Sequence, residues 1–146
     1  MGNATDPITI SALVLAPLTR VWECWTGPEH IVHWNAASPE WHCPEARNDL
    51  RVGGAFSYRM EARDGSFGFD MAGAYDEVLP GARIAYTLED GRPCTVHFAT
   101  EGEGTRVTEV FAPEHQNSVD MQRQGWQAIL DNFKAYCEKG IAEHRP

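Results

Sequence analysis

Residues 8–15, Ile-Thr-Ile-Ser-Ala-Leu-Val-Leu, open with apolar and polar side chains in alternation and end more uniformly apolar. That is the pattern of a strand with one face buried. Pro17 then suits the first turn of a helix, where its missing N–H leaves no bond unmade. Leu18, Val21, Trp22 and Trp25 follow at helical spacing, and Gly27-Pro28 closes the stripe. A second short helix starts at Pro28 and presents Ile31 and Trp34. From Ala46 to Ala112 the chain turns to β-branched and aromatic segments separated by Asp64-Gly65, Pro80-Gly81, Asp90-Gly91 and Gly102-Glu103-Gly104. Turns this close leave no room for helices, so strands at 46–51, 54–63, 67–78, 83–89, 93–100 and 105–111 are predicted as an antiparallel meander.

Trp126, Ile129, Leu130, Phe133 and Cys137 keep helical spacing within a long helix predicted over 118–139, with Asn117 or Ser118 as N-cap and Gly140 just past its end. Extended backward, the stripe lands on Gln122 or Arg123 and then Val119. The first half of this helix therefore offers polar groups on the face that the second half packs. Gly125 lies between the halves at a cost of about 1 kcal/mol relative to Ala, which points to a need for space.

This order of elements predicts an α+β fold. A curved antiparallel sheet of about six to seven strands wraps around the long C-terminal helix, with two short helices after the first strand. Between sheet and helix lies an elongated space that side chains either fill or leave as a cavity. Alternation turns Phe56, Tyr58 and Met60 toward it, then Phe67, Phe69, Met71, Gly73 and Tyr75, then Ile84, Tyr86 and Leu88, then Val96 and Phe98. The resulting wall is aromatic and sulfur-bearing, suited to a flat or adaptable apolar ligand.

Glu109 breaks the pattern, because it shares a strand face with Val107 and Phe111. Either a strand end or bulge lets it reach solvent, or it is buried, and then it must pair or take up a proton. Arg59 and Gln122 are its candidate partners. A carboxyl with a raised pKa in a pocket is suited to general acid–base work. His42, in Trp41-His42-Cys43-Pro44, falls near the expected cavity mouth and is the second candidate for proton transfer. Trp34-Asn35 ends the second helix and Trp41 follows the intervening loop, and their indole N–H groups and amide are candidates to orient the polar end of a ligand. His30 and His33 are expected to face solvent, and the histidine spacing matches no common zinc signature, so no metal is expected.

Composition narrows the partners. The 146 residues carry 12 basic and 21 acidic side chains, a formal charge of −9, which disfavours nucleic acid and anionic membranes. No apolar run is long enough for a membrane-spanning helix. Cys24, Cys43, Cys94 and Cys137 form no Cys-x-x-Cys pair, and the N-terminus lacks the features of a signal peptide. They are read as reduced thiols in a cytoplasmic protein. There is no phosphate-binding glycine loop or nucleophile elbow, and no cofactor is expected.

Six segments, taken in order, resemble a known superfamily. They are Ala-Pro-Leu-Thr-Arg-Val-Trp (16–22), Trp-Thr-Gly-Pro-Glu-His-Ile-Val-His-Trp (25–34), Asp-Leu-Arg-Val-Gly-Gly-Ala-Phe (49–56), Gly-Ala-Tyr-Asp-Glu-Val-Leu-Pro (73–80), Gly-Thr-Arg-Val-Thr (104–108) and Gly-Trp-Gln-Ala-Ile-Leu-Asp-Asn-Phe (125–133). The chain is similar over about residues 6–139 to START-like helix-grip (SRPBCC) proteins, more closely to the bacterial branch related to the heat-shock-protein ATPase activator homologues. The resemblance implies one helix-grip domain over 1–146 with a ligand cavity.

The superfamily includes lipid and sterol carriers, plant hormone and flavonoid binders, and polyketide cyclases. The expectation is binding of a small hydrophobic molecule (aromatic, polyketide-like or lipid) by Trp34, Asn35, Trp41, Phe56, Tyr58, Met60, Phe69, Met71, Tyr86, Phe98, Gln122 and Trp126. An acid–base cyclase, dehydratase or isomerase using Glu109 and His42 is the alternative, and a co-chaperone-like interaction module is a third reading. The family context allows a monomer or a modest homodimer.

Overall fold

The computed structural model describes residues 6–143. Strand β1 (Ile8–Val14) leads into helices α1 (Leu18–Thr26) and α2 (Pro28–Trp34). Six strands follow: β2 (Trp41–Asn48), β3 (Ala55–Ala62), β4 (Gly68–Leu79), β5 (Arg83–Leu88), β6 (Pro93–Glu101) and β7 (Gly104–Phe111). Helix α3 (Val119–Glu143) ends the described chain. All pairings are antiparallel, in the order β1-β7-β6-β5-β4-β3-β2. The meander is thus extended by β1 joining β7, and α1 and α2 carry the chain from one sheet edge to the other. The curved sheet grips α3, which packs on β1, while α2 packs on β2.

Three boundaries differ from the sequence reading by more than one residue. The second strand begins at Trp41 rather than 46, because Trp41 and His42 pair with Ala62 and Glu61 before a register shift that ends at Glu45. Pro44 falls within that shift on an edge strand, where a residue without an N–H is tolerated. Residues 49–51 instead form a turn, with Arg51 N–H donating to Asp49 O and Gly54 N–H to Arg51 O. Helix α3 also runs on through Gly140 to Glu143. Its start is capped by Ser118, whose Oγ accepts from the Met121 N–H at 3.1 Å.

The packed core sits where the C-terminal half of α3 meets the two short helices. Leu130, Phe133 and Cys137 are fully buried beside Val21, Cys24 and Ile31. Trp25 and Trp34 each set an edge against the Phe133 ring at 4.9 Å between centroids. The four cysteines are buried and free, and the Cys137 thiol hydrogen-bonds to Cys24 across the α1–α3 contact.

The free edge of β1 is covered by side chains of α3. Arg123 donates to Thr9 O at 3.1 Å, Gln127 to Ser11 O at 3.2 Å, and Glu138 accepts from the Leu15 N–H at 2.7 Å.

Candidate functional site

Over the N-terminal half of α3 the interior is not filled. A cavity of about 350 Å³ lies between that half-helix and strands β3, β4, β5 and β7, with Trp25, Trp34 and Asn35 at its border. β3 turns Phe56, Tyr58 and Met60 into it, β4 turns Phe69, Met71 and Tyr75, and β5 turns Ile84, Tyr86 and Leu88. Gly73 faces Phe56 across the β3–β4 ladder, and a Cβ there would come within 3.0 Å of the Phe56 ring. A side chain at this position would collide with the Thr87 carbonyl oxygen, 2.5 Å away, as well as with that ring. From α3 come Gln122, Gly125, Trp126 and Ile129. A Cβ built on Gly125 meets nothing within 4 Å, so this glycine borders open space.

Most polar groups of the wall are already engaged. The Trp34 indole N–H donates to Cys24 O at 2.9 Å and so presents only its ring. Tyr58 donates toward Tyr75, whose hydroxyl donates to Asn48 Oδ1 at 2.5 Å, and the Asn48 amide donates to Thr26 O at 2.8 Å. Burial pushes both tyrosines up, and Tyr86 as well, which bonds to the Cys94 thiol. Gln122 ties down the loop before α3: its carbonyl accepts from Glu114 N–H at 2.8 Å, and its amide donates to Glu114 O and Asn117 O. Arg92 is held by Asp90 at 2.8 Å. The Asn35 side chain hydrogen-bonds to the Cys43 thiol.

Glu109 is different. It is only 5% exposed and lines the cavity, opposite Ile10 on β1 and Val96 on β6. No hydrogen bond or ion pair to its carboxyl is found among the described residues, and desolvation alone pushes its pKa up to about 8. No bulge carries it to solvent, because β7 stays in register with both neighbours through this position. Arg59 is not its partner either. It lies on the outer face, bonded to Glu61 at 2.8 Å and to Asp70.

Three of the residues expected at the site are not in the cavity wall. His42 is half-exposed, 3.7 Å from Glu61, because the earlier start of β2 pairs it on the sheet rather than leaving it in a mouth loop. Trp41 packs instead with Phe67 and Phe69, at 6.0 and 6.1 Å between centroids. Phe98 is buried but lies against Trp22 and Trp25, since α1 covers that end of β6. Phe67, expected inward, is 62% exposed because it precedes the first residue of β4 in the β3–β4 turn.

Trp25, assigned to a packing stripe by its spacing, borders the cavity as well as the core. Arg92, Glu114 and Asn117 also line it and were not anticipated. They come from turns, where periodicity carries no signal. His30 does not simply face solvent: its Nδ1 is 2.7 Å from the Tyr136 hydroxyl, and His33 stacks on the same ring.

A seven-stranded antiparallel half-barrel gripping a long C-terminal helix over an aromatic cavity defines the START-like helix-grip class. Residues 15–138 match the family described as Activator of Hsp90 ATPase homolog 1-like protein. The chain belongs to that family. It is similar to the AHSA1-like protein from Aeromonas hydrophila, with 43% identity over 96% of this chain and 97% of that one and a TM-score of 0.88. It is also similar to a protein from Cytophaga hutchinsonii, with 42% identity over 99% of each chain and a TM-score of 0.77. A protein from Chromobacterium violaceum shows 25% identity over 91% of this chain and 98% of that one, with a TM-score of 0.81. No match was found among curated proteins. Among the described residues no helix is long and apolar enough to cross a membrane.

Proposed function

We propose that this protein binds a small hydrophobic molecule in the space between the sheet and the N-terminal half of α3. One observation carries the reading: a cavity of about 350 Å³ persists there, walled by aromatic and methionine side chains. That volume is in the range that takes drug-sized ligands, and flat rings with flexible thioethers adapt to varied apolar shapes. An acid–base mechanism shared by Glu109 and His42 is not supported, since His42 pairs with Glu61 on the sheet and does not line the cavity.

Titration with Nile red, a neutral apolar dye, tests the reading. One dye per chain is expected, with affinity falling at least about tenfold in Gly125→Phe, whose ring enters the open space beside α3. Unchanged dye binding by a folded Gly125→Phe protein would mean that the dye binds elsewhere and would count against the cavity.

A further inference from the structure

The balance of donors and acceptors in the wall indicates what kind of apolar molecule it suits. Among the wall's donors the Trp34 indole, the tyrosine hydroxyls and the Gln122 amide already donate within the protein, which leaves a ligand oxygen only the indoles of Trp25 and Trp126 and the proton of Glu109 itself. A ligand carboxylate would face Glu109 and Glu114, and the arginine of the lining is bound to Asp90. What distinguishes the cavity is a buried carboxyl without a hydrogen-bond partner among the described residues, surrounded by aromatic faces. Aromatic faces carry negative quadrupole potential and attract organic cations. A charge-assisted bond from N–H to a carboxylate is about twice as strong as a neutral one.

Resting on the cavity-binding reading above, we infer that the preferred ligand is an apolar organic amine, its nitrogen against the Glu109 carboxyl and its hydrocarbon among the aromatic rings. Phe111, two residues along β7, stacks on Trp126 of α3 at 3.8 Å between centroids, so an aromatic pair adjoins the carboxyl. Binding moves one proton: Glu109 gives up its own as the ammonium takes its place, so the affinity for the amine rises with pH while Glu109 titrates. The groups facing it do not oppose this. Tyr86 on β5 and Cys94 on β6 are both pushed up and stay neutral, β1 offers Ile10, and α3 offers the uncharged Gln122. Arg92 and Glu114, from the turns beside β7, bring opposite charges.

Calorimetric titration with three matched probes, 1-naphthylmethylamine, 1-naphthylmethanol and 1-naphthoic acid, decides the matter on the intact protein. At about pH 8 the amine is expected to bind at least about tenfold more tightly than the alcohol, and the acid more weakly than either. Between about pH 6 and 8 the amine affinity should rise toward tenfold per unit, with the alcohol flat or declining. Glu109→Gln should remove both the preference and the slope. If the alcohol or acid matches the amine, or the preference survives Glu109→Gln, the inference fails while cavity binding stands. If no probe binds, the cavity reading itself falls and takes this inference with it. The pH series on the unmodified chain keeps the test decisive should the variant fold poorly.

Discussion

The two halves of α3 lie in one helix against one sheet and do opposite things. From Leu130 to Cys137 the helix is locked in a solid core, with Phe133 meeting the edges of Trp25 and Trp34 and the Cys137 thiol hydrogen-bonded to Cys24. From Gln122 to Ile129 it borders open volume, and its central residue is a glycine with nothing near its missing side chain. The difference teaches that stability and recognition are segregated along a single element. The C-terminal half holds the helix in place, and the N-terminal half is then free to leave space.

Truncating the solid half should produce the largest effect. Phe133→Ala is expected to cost about 3–5 kcal/mol by urea unfolding, while Met71→Ala, on the cavity wall and partly exposed, should cost about 1 kcal/mol or less. Equal losses at the two positions would erase the distinction between the halves.

Glu109 provides the next test. Its carboxyl ionises near 4.5 when unfolded and near about 8 when folded, so between these values the native state holds the extra proton. Its contribution is therefore full below about pH 4.5 and is lost as pH rises through about 8, at up to roughly 1.4 kcal/mol per unit. Glu109→Gln should flatten that slope, matching the parent near pH 4.5 and exceeding its stability by a few kcal/mol near pH 8. Parallel stability curves for the two proteins would show that the carboxyl is not desolvated.

Smaller still is Gly125→Ala, expected to stabilise the fold by about 0.5–1 kcal/mol because the methyl meets no neighbour and alanine favours the helix. A loss of stability would mean that the space is not open. His42→Ala, outside both halves, should change stability by less than about 0.5 kcal/mol and leave probe binding unaltered. An effect on binding would bring the β2 edge back into the site.

Legibility followed the same division. Helical spacing located Leu130, Phe133 and Cys137, and period-two alternation oriented Phe56, Tyr58, Met60 and Tyr86, because long regular elements print their buried face on the chain. Gly125 and the polar face at Gln122 marked where the helix changes role. Glu109 appeared as an anomaly of pattern, but its burial depended on an unbroken register with β1 and β6, which is a property of three strands at once. Phe98 escaped for a related reason. Alternation says which side of a strand a residue takes, not whether a helix or open volume lies opposite. Trp41 and His42 escaped because Pro44 hid the true start of β2, since proline argues against a strand unless a bulge on an edge accommodates it.

The hydrogen bonds from α3 to β1 bear on how the molecule behaves among its own copies. An unpaired strand edge is a template for another chain, and long exposed edges invite assembly into extended sheets. Here Arg123 and Gln127 already occupy the carbonyls of Thr9 and Ser11, and Glu138 occupies the Leu15 N–H. The opposite edge carries Pro44 and a break in register. The helix that borders the cavity thus also shields one end of the sheet, and opening the cavity by loosening α3 would uncover an adhesive strand.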